Sequence, residues 1–115
     1  MASECIFCEI IAGKISSDVV YEDGEFLAFR DIQPQAPKHF VIIPKQHIAS
    51  LRDLTEKEED LMGRLILLAS KLAKKEGLDS MGYRLAINTG DEGGQAVPHL
   101  HVHLLGGRKL NDQLG

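Results

Sequence analysis

Apolar residues in this chain fall into short alternating runs broken by glycine and proline, with one long stretch at helical spacing between them. Leu61, Leu65, Leu68 and Leu72 recur on one helical face. Thr55-Glu56-Lys57-Glu58 has the form of a capping box, with Thr55 as N-cap and Glu58 reaching back, and Gly77 supplies a stop. The spacing therefore predicts one long helix from Thr55 to Glu76. A shorter apolar run, Ile6 to Ala12 closed by Gly13, predicts a helix of one to two turns. Val19 to Glu22 and Glu25 to Asp31 flank Asp23-Gly24, which reads as a two-residue hairpin turn. Pro34 and Pro37 punctuate a loop, after which Phe40 to Ile43 reads as a buried strand ended by Pro44. Tyr83 to Asn88 alternates around Leu85 and Ile87, Gly90 to Gly94 forms a flexible loop, and His99 to Leu105 is the last strand, closed by Gly106-Gly107.

Five strands and a single long helix, which can cover only one face of a sheet, predict an α+β sandwich. With no repeat, linker or low-complexity tract, residues 1–115 read as a single domain. In the last strand Leu100, Val102 and Leu104 share one face, which should lie under the long helix. His99, His101 and His103 share the other, which is left to face a cleft.

Composition narrows the class. A hydrophobic content of 43% with 26% charged residues is that of a soluble globular protein. The net charge of -4 argues against nucleic acid or an anionic membrane as the main partner, since both reward basic patches. No apolar stretch approaches the roughly 20 residues of a membrane span, and the N-terminus shows no secretory signal. Cys5 and Cys8 sit too close together to staple a fold, so a cytoplasmic protein with reduced thiols is expected.

The candidate chemistry lies in the histidine run. At a rise of roughly 3.3 Å per residue, alternate imidazoles on one strand face start about 6.6 Å apart. Crowding three of them on a shared face costs desolvation unless each is partnered, so packing alone explains the pattern poorly. Two chemistries suit it. Imidazole is a common zinc ligand, and a neutral imidazole can attack an electrophilic phosphorus without first losing a proton. The preceding loop, Thr89-Gly90-Asp91-Glu92-Gly93-Gly94-Gln95, favours the second. Its bare backbone can approach an anion closely and cradle a phosphate with consecutive N–H groups.

Gly94-Gln95-Ala96-Val97-Pro98-His99-Leu100-His101-Val102-His103-Leu104-Leu105-Gly106-Gly107-Arg108 resembles the histidine-triad motif of the HIT superfamily. Its closest likeness is to the Hint branch of nucleoside phosphoramidate hydrolases. Cys5-Ile6-Phe7-Cys8, Phe29-Arg30-Asp31-Ile32 with Pro34-Gln35-Ala36-Pro37, and Ile43-Pro44-Lys45-Gln46-His47-Ile48 are similar to further family landmarks, so the resemblance covers about the whole chain. It implies a five-stranded antiparallel sheet with one long and one short helix, and a homodimer in which two sheets join. It implies cleavage of the P–N bond of adenosine 5′-phosphoramidates through a covalent nucleotidyl-histidine. His101 would be the nucleophile, His103 would serve phosphate and leaving group, and His99 would support the nucleophile from behind. Asp31 would accept hydrogen bonds from the ribose hydroxyls of an AMP-like purine nucleotide. Phe7, Ile10, Phe29 and Ile32 would form the slot for the base. Asn88, Gly94, Gln95 and the backbone of Ala96 and Val97 would meet the phosphate. The chain departs from the pattern at Ala96, where relatives often carry a hydroxyl residue, and it lacks a C-terminal tryptophan that some relatives have.

Cys5 and Cys8 have metal-ligand spacing but make only half of a tetrahedral site. Some HIT relatives complete such a site with two histidines, which fall here on His47 and His99. The resemblance therefore points to a structural zinc on Cys5, Cys8, His47 and His99, with no cofactor needed for catalysis. The alternative is a pair of buried thiols. Competing functions are dinucleoside polyphosphate hydrolysis, a nucleotide-binding or scaffold protein with incidental activity, and a zinc module built on the triad itself.

Overall fold

The computed structural model describes residues 5–113. In chain order the elements are α1 (Ile6–Ile11), β1 (Val19–Glu22), β2 (Phe26–Arg30), β3 (Lys38–Pro44), two single 3-10 turns (Leu51–Asp53 and Glu56–Glu58), α2 (Glu59–Lys75), β4 (Tyr83–Ala86) and β5 (Val102–Gly106). The strands form one antiparallel sheet in the order β1-β2-β3-β5-β4. The α+β class is borne out. The last strand enters between β3 and β4, so β5 is hydrogen-bonded on both sides and His103 stands inside the sheet, with His99 and His101 on the segment that leads into it.

Several boundaries move from the sequence expectation, each for a local reason. The capping box forms as expected: Thr55 Oγ1 accepts from the Lys57 amide at 3.2 Å, and Glu58 Oε1 accepts from the Thr55 amide at 2.8 Å. It closes a 3-10 turn first, and the α-helix follows from Glu59. Gly77, at φ 78°, ends the helix where the sequence placed its stop. The β1–β2 connection is not a two-residue turn of the primed type, which needs positive φ at the first or at both central positions, and neither Asp23 nor Gly24 has it. Instead Asp23 Oδ1 accepts from the amides of Glu25 (2.7 Å) and Phe26 (2.8 Å), so a carboxylate does what a glycine turn would have done. β3 starts at Lys38, two residues before its expected start, and β5 pairs only from Val102, so His99 and His101 precede the ladder. β4 ends at Ala86 rather than Asn88.

The two faces of the sheet differ. Phe26 and Ala28 of β2, Phe40 and Ile42 of β3, and Leu100, Val102 and Leu104 pack with Leu61, Leu65, Leu68, Ala69, Leu72 and Ala73 of α2. This is the main core, and the apolar side of the histidine run lies in it as expected. Leu27, Phe29, Val41 and Ile43 point the other way and pack with Cys5 and Phe7 at the start of α1. A six-residue helix cannot cover that face as α2 covers its own, and the imidazoles occupy what it leaves. Among the described residues, no helix is long and apolar enough to cross a membrane.

Candidate active site

Register assembles the site. Val41 of β3 pairs with His103 and His39 pairs with Leu105, so His39 and His103 stand diagonally on the same face. Ala86 of β4 pairs with His103 from the other side. Asn88 and His101 both lie just beyond the end of this ladder. The imidazoles of His101 and His103 lie edge to face with centroids 4.9 Å apart.

The hydrogen bonds fix which ring nitrogen carries each proton. His101 donates from Nδ1 to the carbonyl of His99 at 2.7 Å, which leaves its Nε2 with a free lone pair. His39 Nδ1 accepts from the Gln35 amide at 3.1 Å, so the neutral ring carries its proton on Nε2. That proton is donated to His103 Nδ1 at 2.9 Å, with Asp31 Oδ2 alongside at 3.4 Å. His103 therefore accepts at Nδ1 and presents an N–H at Nε2. Asp31, His39 and His103 also lie close enough to hold an ion. The Gln35 amide already occupies the Nδ1 lone pair of His39, however, so its Nε2 keeps the proton a metal would have to displace. This group is a hydrogen-bonded relay.

Electrostatics keep the relay neutral. Burial pushes the His103 imidazole down to about 4, helped by the charges His101 and His39 would carry and opposed by Asp31. His101 is also held below its usual range by burial, against the His99 carbonyl and Asp31, which pull it up. His39 is lowered by burial and raised in part by Asp31. Nucleophilic attack by imidazole requires this neutral form.

Among the expected base-slot residues, Phe7 and Phe29 are buried and meet edge to face at 5.5 Å, and Phe7 also meets His101 at 5.1 Å. Ile10 is half-buried against the same cluster. Ile32 is 93% exposed and packs into neither core cluster. Asp31 receives the Gln33 amide on Oδ1 at 2.8 Å and keeps further lone pairs for hydroxyl groups.

The glycine loop is shaped by its own contacts. A Cβ on Gly93 would lie 2.2 Å from the Thr89 carbonyl oxygen, and Gly94 has φ 79°. Gly93→Ala is therefore expected to destabilise the protein by about 1–3 kcal/mol and to raise KM more than a surface substitution would. Thermal melts and steady-state kinetics at wild-type stability and KM would show that the loop has room to give. The Gln95 side chain is turned into the loop itself. Its Oε1 accepts from Gly90, and its Nε2 donates to the carbonyls of Ala49 (2.7 Å) and Val97 (3.0 Å), so both amide protons are engaged in holding the loop. Among the described residues, the amides of Ala96 and Val97 and the carboxamide of Asn88 make no hydrogen bond to the protein.

The fourth expected set also converges. Cys5 Sγ, Cys8 Sγ, His47 Nδ1 and His99 Nδ1 all lie within 4.8 Å of one another. His99 donates from Nε2 to the Pro44 carbonyl at 2.8 Å, which turns its Nδ1 lone pair towards the thiols. Donor separations are 3.3 Å for Cys5–His99, 3.6 Å for Cys8–His99, and 3.2 Å for both Cys8–His47 and His47–His99. A tetrahedral zinc with Zn–N near 2.0–2.1 Å and Zn–S near 2.3 Å spaces its donors about 3.3–3.8 Å apart. The set fits. With no cation, burial and the neighbouring Cys5 push the Cys8 thiol up to about 11.

Sequence reasoning missed His39. Its signal was parity with Val41 and Ile43, hidden because Pro37-Lys38-His39 was read as loop. A separate cleft of about 390 Å³ lies between α2 and the β1–β2 hairpin, on the face opposite the imidazoles.

Comparison with known proteins agrees with this geometry. The HIT domain family model matches residues 12–110. The chain is 50% identical over 114 residues to the purine nucleoside phosphoramidase of Escherichia coli, covering 99% of this chain and 96% of that protein. It is 53% identical over 110 residues to an uncharacterised HIT-like protein of Synechococcus elongatus, covering 96% of each. Among solved structures, a HIT family hydrolase from Legionella pneumophila is similar with a TM-score of 0.95 and 50% identity, covering 96% of this chain and 99% of that one. A histidine-triad protein from Clostridium difficile gives a TM-score of 0.91 at 46% identity, covering 95% of each chain. Matched across nearly its whole length, with its alternating imidazoles at the start of β5, the chain belongs to the HIT family.

Proposed function

We propose that this protein hydrolyses the P–N bond of purine nucleoside 5′-phosphoramidates, adenosine derivatives first among them. The observation that carries this reading is the proton assignment: His101 offers a bare Nε2 beside a His103 Nε2–H. The relative from Escherichia coli, a purine nucleoside phosphoramidase, supports the choice of substrate class. In this reading Asp31 holds the ribose hydroxyls, and Phe7, Ile10, Phe29 and Ile32 enclose the base. Asn88 and the amides of Ala96 and Val97 take the phosphate oxygens, while Gly94 and Gln95 shape the loop behind them.

His101 Nε2 forms a bond to phosphorus as the P–N bond breaks. The nitrogen, protonated before attack, departs as a neutral amine, while His103 keeps its proton and donates a hydrogen bond from Nε2 to the reacting phosphate or the departing nitrogen. Water then attacks the nucleotidyl-histidine, the bond from phosphorus to His101 breaks and returns its electron pair to Nε2, and the proton released by the water passes to solvent. The His99 carbonyl stabilises the positive charge that His101 carries between the two halves. His99 thus supports catalysis through its main chain. Incubation with an adenosine phosphoramidate and with a diadenosine polyphosphate tests the reading. Preferred turnover of the phosphoramidate is expected, preference for the polyphosphate would replace the reading, and tight nucleotide binding without turnover of either would mark a binding protein.

The neutral relay has a pH signature. A histidine lowered to about 4 gains its proton only as pH falls through that value. In a nuclear magnetic resonance titration the His103 ring signals should hold still from pH 8 to 6 and move with a midpoint near 4. A midpoint at or above the ordinary imidazole value would break the relay as drawn.

Zinc is the metal that Cys5, Cys8, His47 and His99 fit, and there it would act as a structural cation. At a free concentration 100 times its Kd it would add about 2.7 kcal/mol of stability, roughly 10 °C in a chain of this size. Chelation should lower the melting temperature by that order and zinc should restore it. Purified protein with no zinc and a melt indifferent to chelator would leave two buried thiols.

A homodimer completes the reading. β1 and β4 are the sheet edges, and β1 is irregular between Val19 and Tyr21. Such an irregularity discourages strand pairing, so β4 is the edge that a second copy would meet. Light scattering at the monomer mass would exclude this.

A further inference from the structure

Everything that orients the His101 ring from behind leads back to the cysteine–histidine set. Its Nδ1–H is held by the His99 carbonyl at 2.7 Å. Its edge is met by Phe7 at 5.1 Å and 89°, and its other neighbour is His103. Phe7 stands in the chain between Cys5 and Cys8, and Cys5 caps α1 by accepting the Cys8 amide at 3.2 Å.

The carbonyl of His99 is fixed by the same group. It belongs to the peptide plane shared with Leu100, and a peptide moves as one rigid unit. On the N–H side of that plane, Leu100 donates to the Ile48 carbonyl at 2.7 Å, and Ile48 directly follows His47. At the other end the His99 ring is fully buried, tied by Nε2 to Pro44 and by Nδ1 to the thiols and His47. One plane thus hangs between a ligand residue, His99, and the chain neighbour of another, Ile48, and the nucleophile hangs from its oxygen.

We propose that Cys5, Cys8, His47 and His99 are positioning residues for the nucleophile, so that closing this site raises kcat by holding the His99 carbonyl and the Phe7 ring against His101. A set that only staples α1 to the sheet would change stability and leave the chemical step alone. Imidazole attack depends on aim, and misplacement by about 1 Å can cost on the order of 100-fold. The closed form rests on the zinc reading above.

His47 is the variant of choice, since it is exposed and its polar and ring contacts are to Cys8 and His99. In His47→Ala, zinc content should fall, kcat should drop about tenfold at unchanged KM, and the hydrogen-bonded Nδ1–H proton of His101 should exchange faster with solvent. His47→Cys, which restores a fourth ligand, should recover all three. Removing zinc from folded wild type with a chelator, then adding it back, gives the same comparison without a mutation and covers a variant that fails to fold. Wild type that holds zinc, beside a zinc-free form with full kcat and an unaltered Nδ1–H signal, would overturn this proposal alone. Wild type that binds no zinc would overturn the zinc reading and this one with it.

Discussion

Replacing His101 with alanine is expected to lower kcat/KM for an adenosine phosphoramidate by at least about 10⁴-fold, some 5 kcal/mol of transition-state stabilisation. The site contains other imidazoles, but none of them can substitute. His103 Nδ1 accepts from His39, and its Nε2 carries the proton. His99 uses Nε2 on Pro44 and turns Nδ1 into the thiols. His39 is 6% exposed with both nitrogens engaged, which leaves His101 Nε2 as the one bare lone pair in the relay. Nucleotide affinity should survive, because the expected contacts to base, ribose and phosphate lie elsewhere. Mass spectrometry of quenched turnover should show a nucleotidyl adduct on wild type and none on the variant. Activity within tenfold of wild type would remove His101 from the nucleophile's role.

His39→Phe is expected to cost on the order of 10³-fold in kcat, about 4 kcal/mol, with KM little changed. No direct contact of His39 with substrate is needed for this. Its Nε2–H holds His103 Nδ1 as an acceptor, and so compels His103 to show its N–H to the leaving group. Phenylalanine keeps the volume and removes the proton, so the His103 ring can then take either tautomer or turn over. His39→Gln, which can still donate at this position, should recover part of the loss, and that recovery separates hydrogen bonding from packing. Equal rates for the Phe and Gln variants would assign His39 to the core. A loss confined to KM would place it in binding.

What could be read from the chain tracks how local the cause was. The capping box at Thr55 and the leucine spacing through Leu72 act within a few residues, and α2 formed where they predicted, after one extra 3-10 turn. The Asp23-Gly24 hairpin was found, but its turn was misread. A side-chain carboxylate can replace a backbone conformation, and composition does not separate the two. Gln95 was expected on the phosphate side, and its side chain also braces the loop; the bond to Ala49, 46 residues away, is one that only the fold brings together. His39 was missed because its partner is 64 residues away in the chain.

By itself the sequence determined the elements, the apolar face of the last strand, and the convergence of three histidines with a glycine loop, since alternation and spacing along one segment are properties of that segment. Its motifs were specific enough to bring the HIT family into view. Only the tertiary structure decided what each histidine does. An imidazole has two nitrogens of interchangeable character, and a proton settles on one because another group, a His99 carbonyl or a Gln35 amide, occupies the other. Those partners are main-chain atoms, and no side-chain pattern records where they point. The three alternating imidazoles look equivalent in the chain. In the fold one keeps a bare lone pair, one presents a proton, and one faces two thiols.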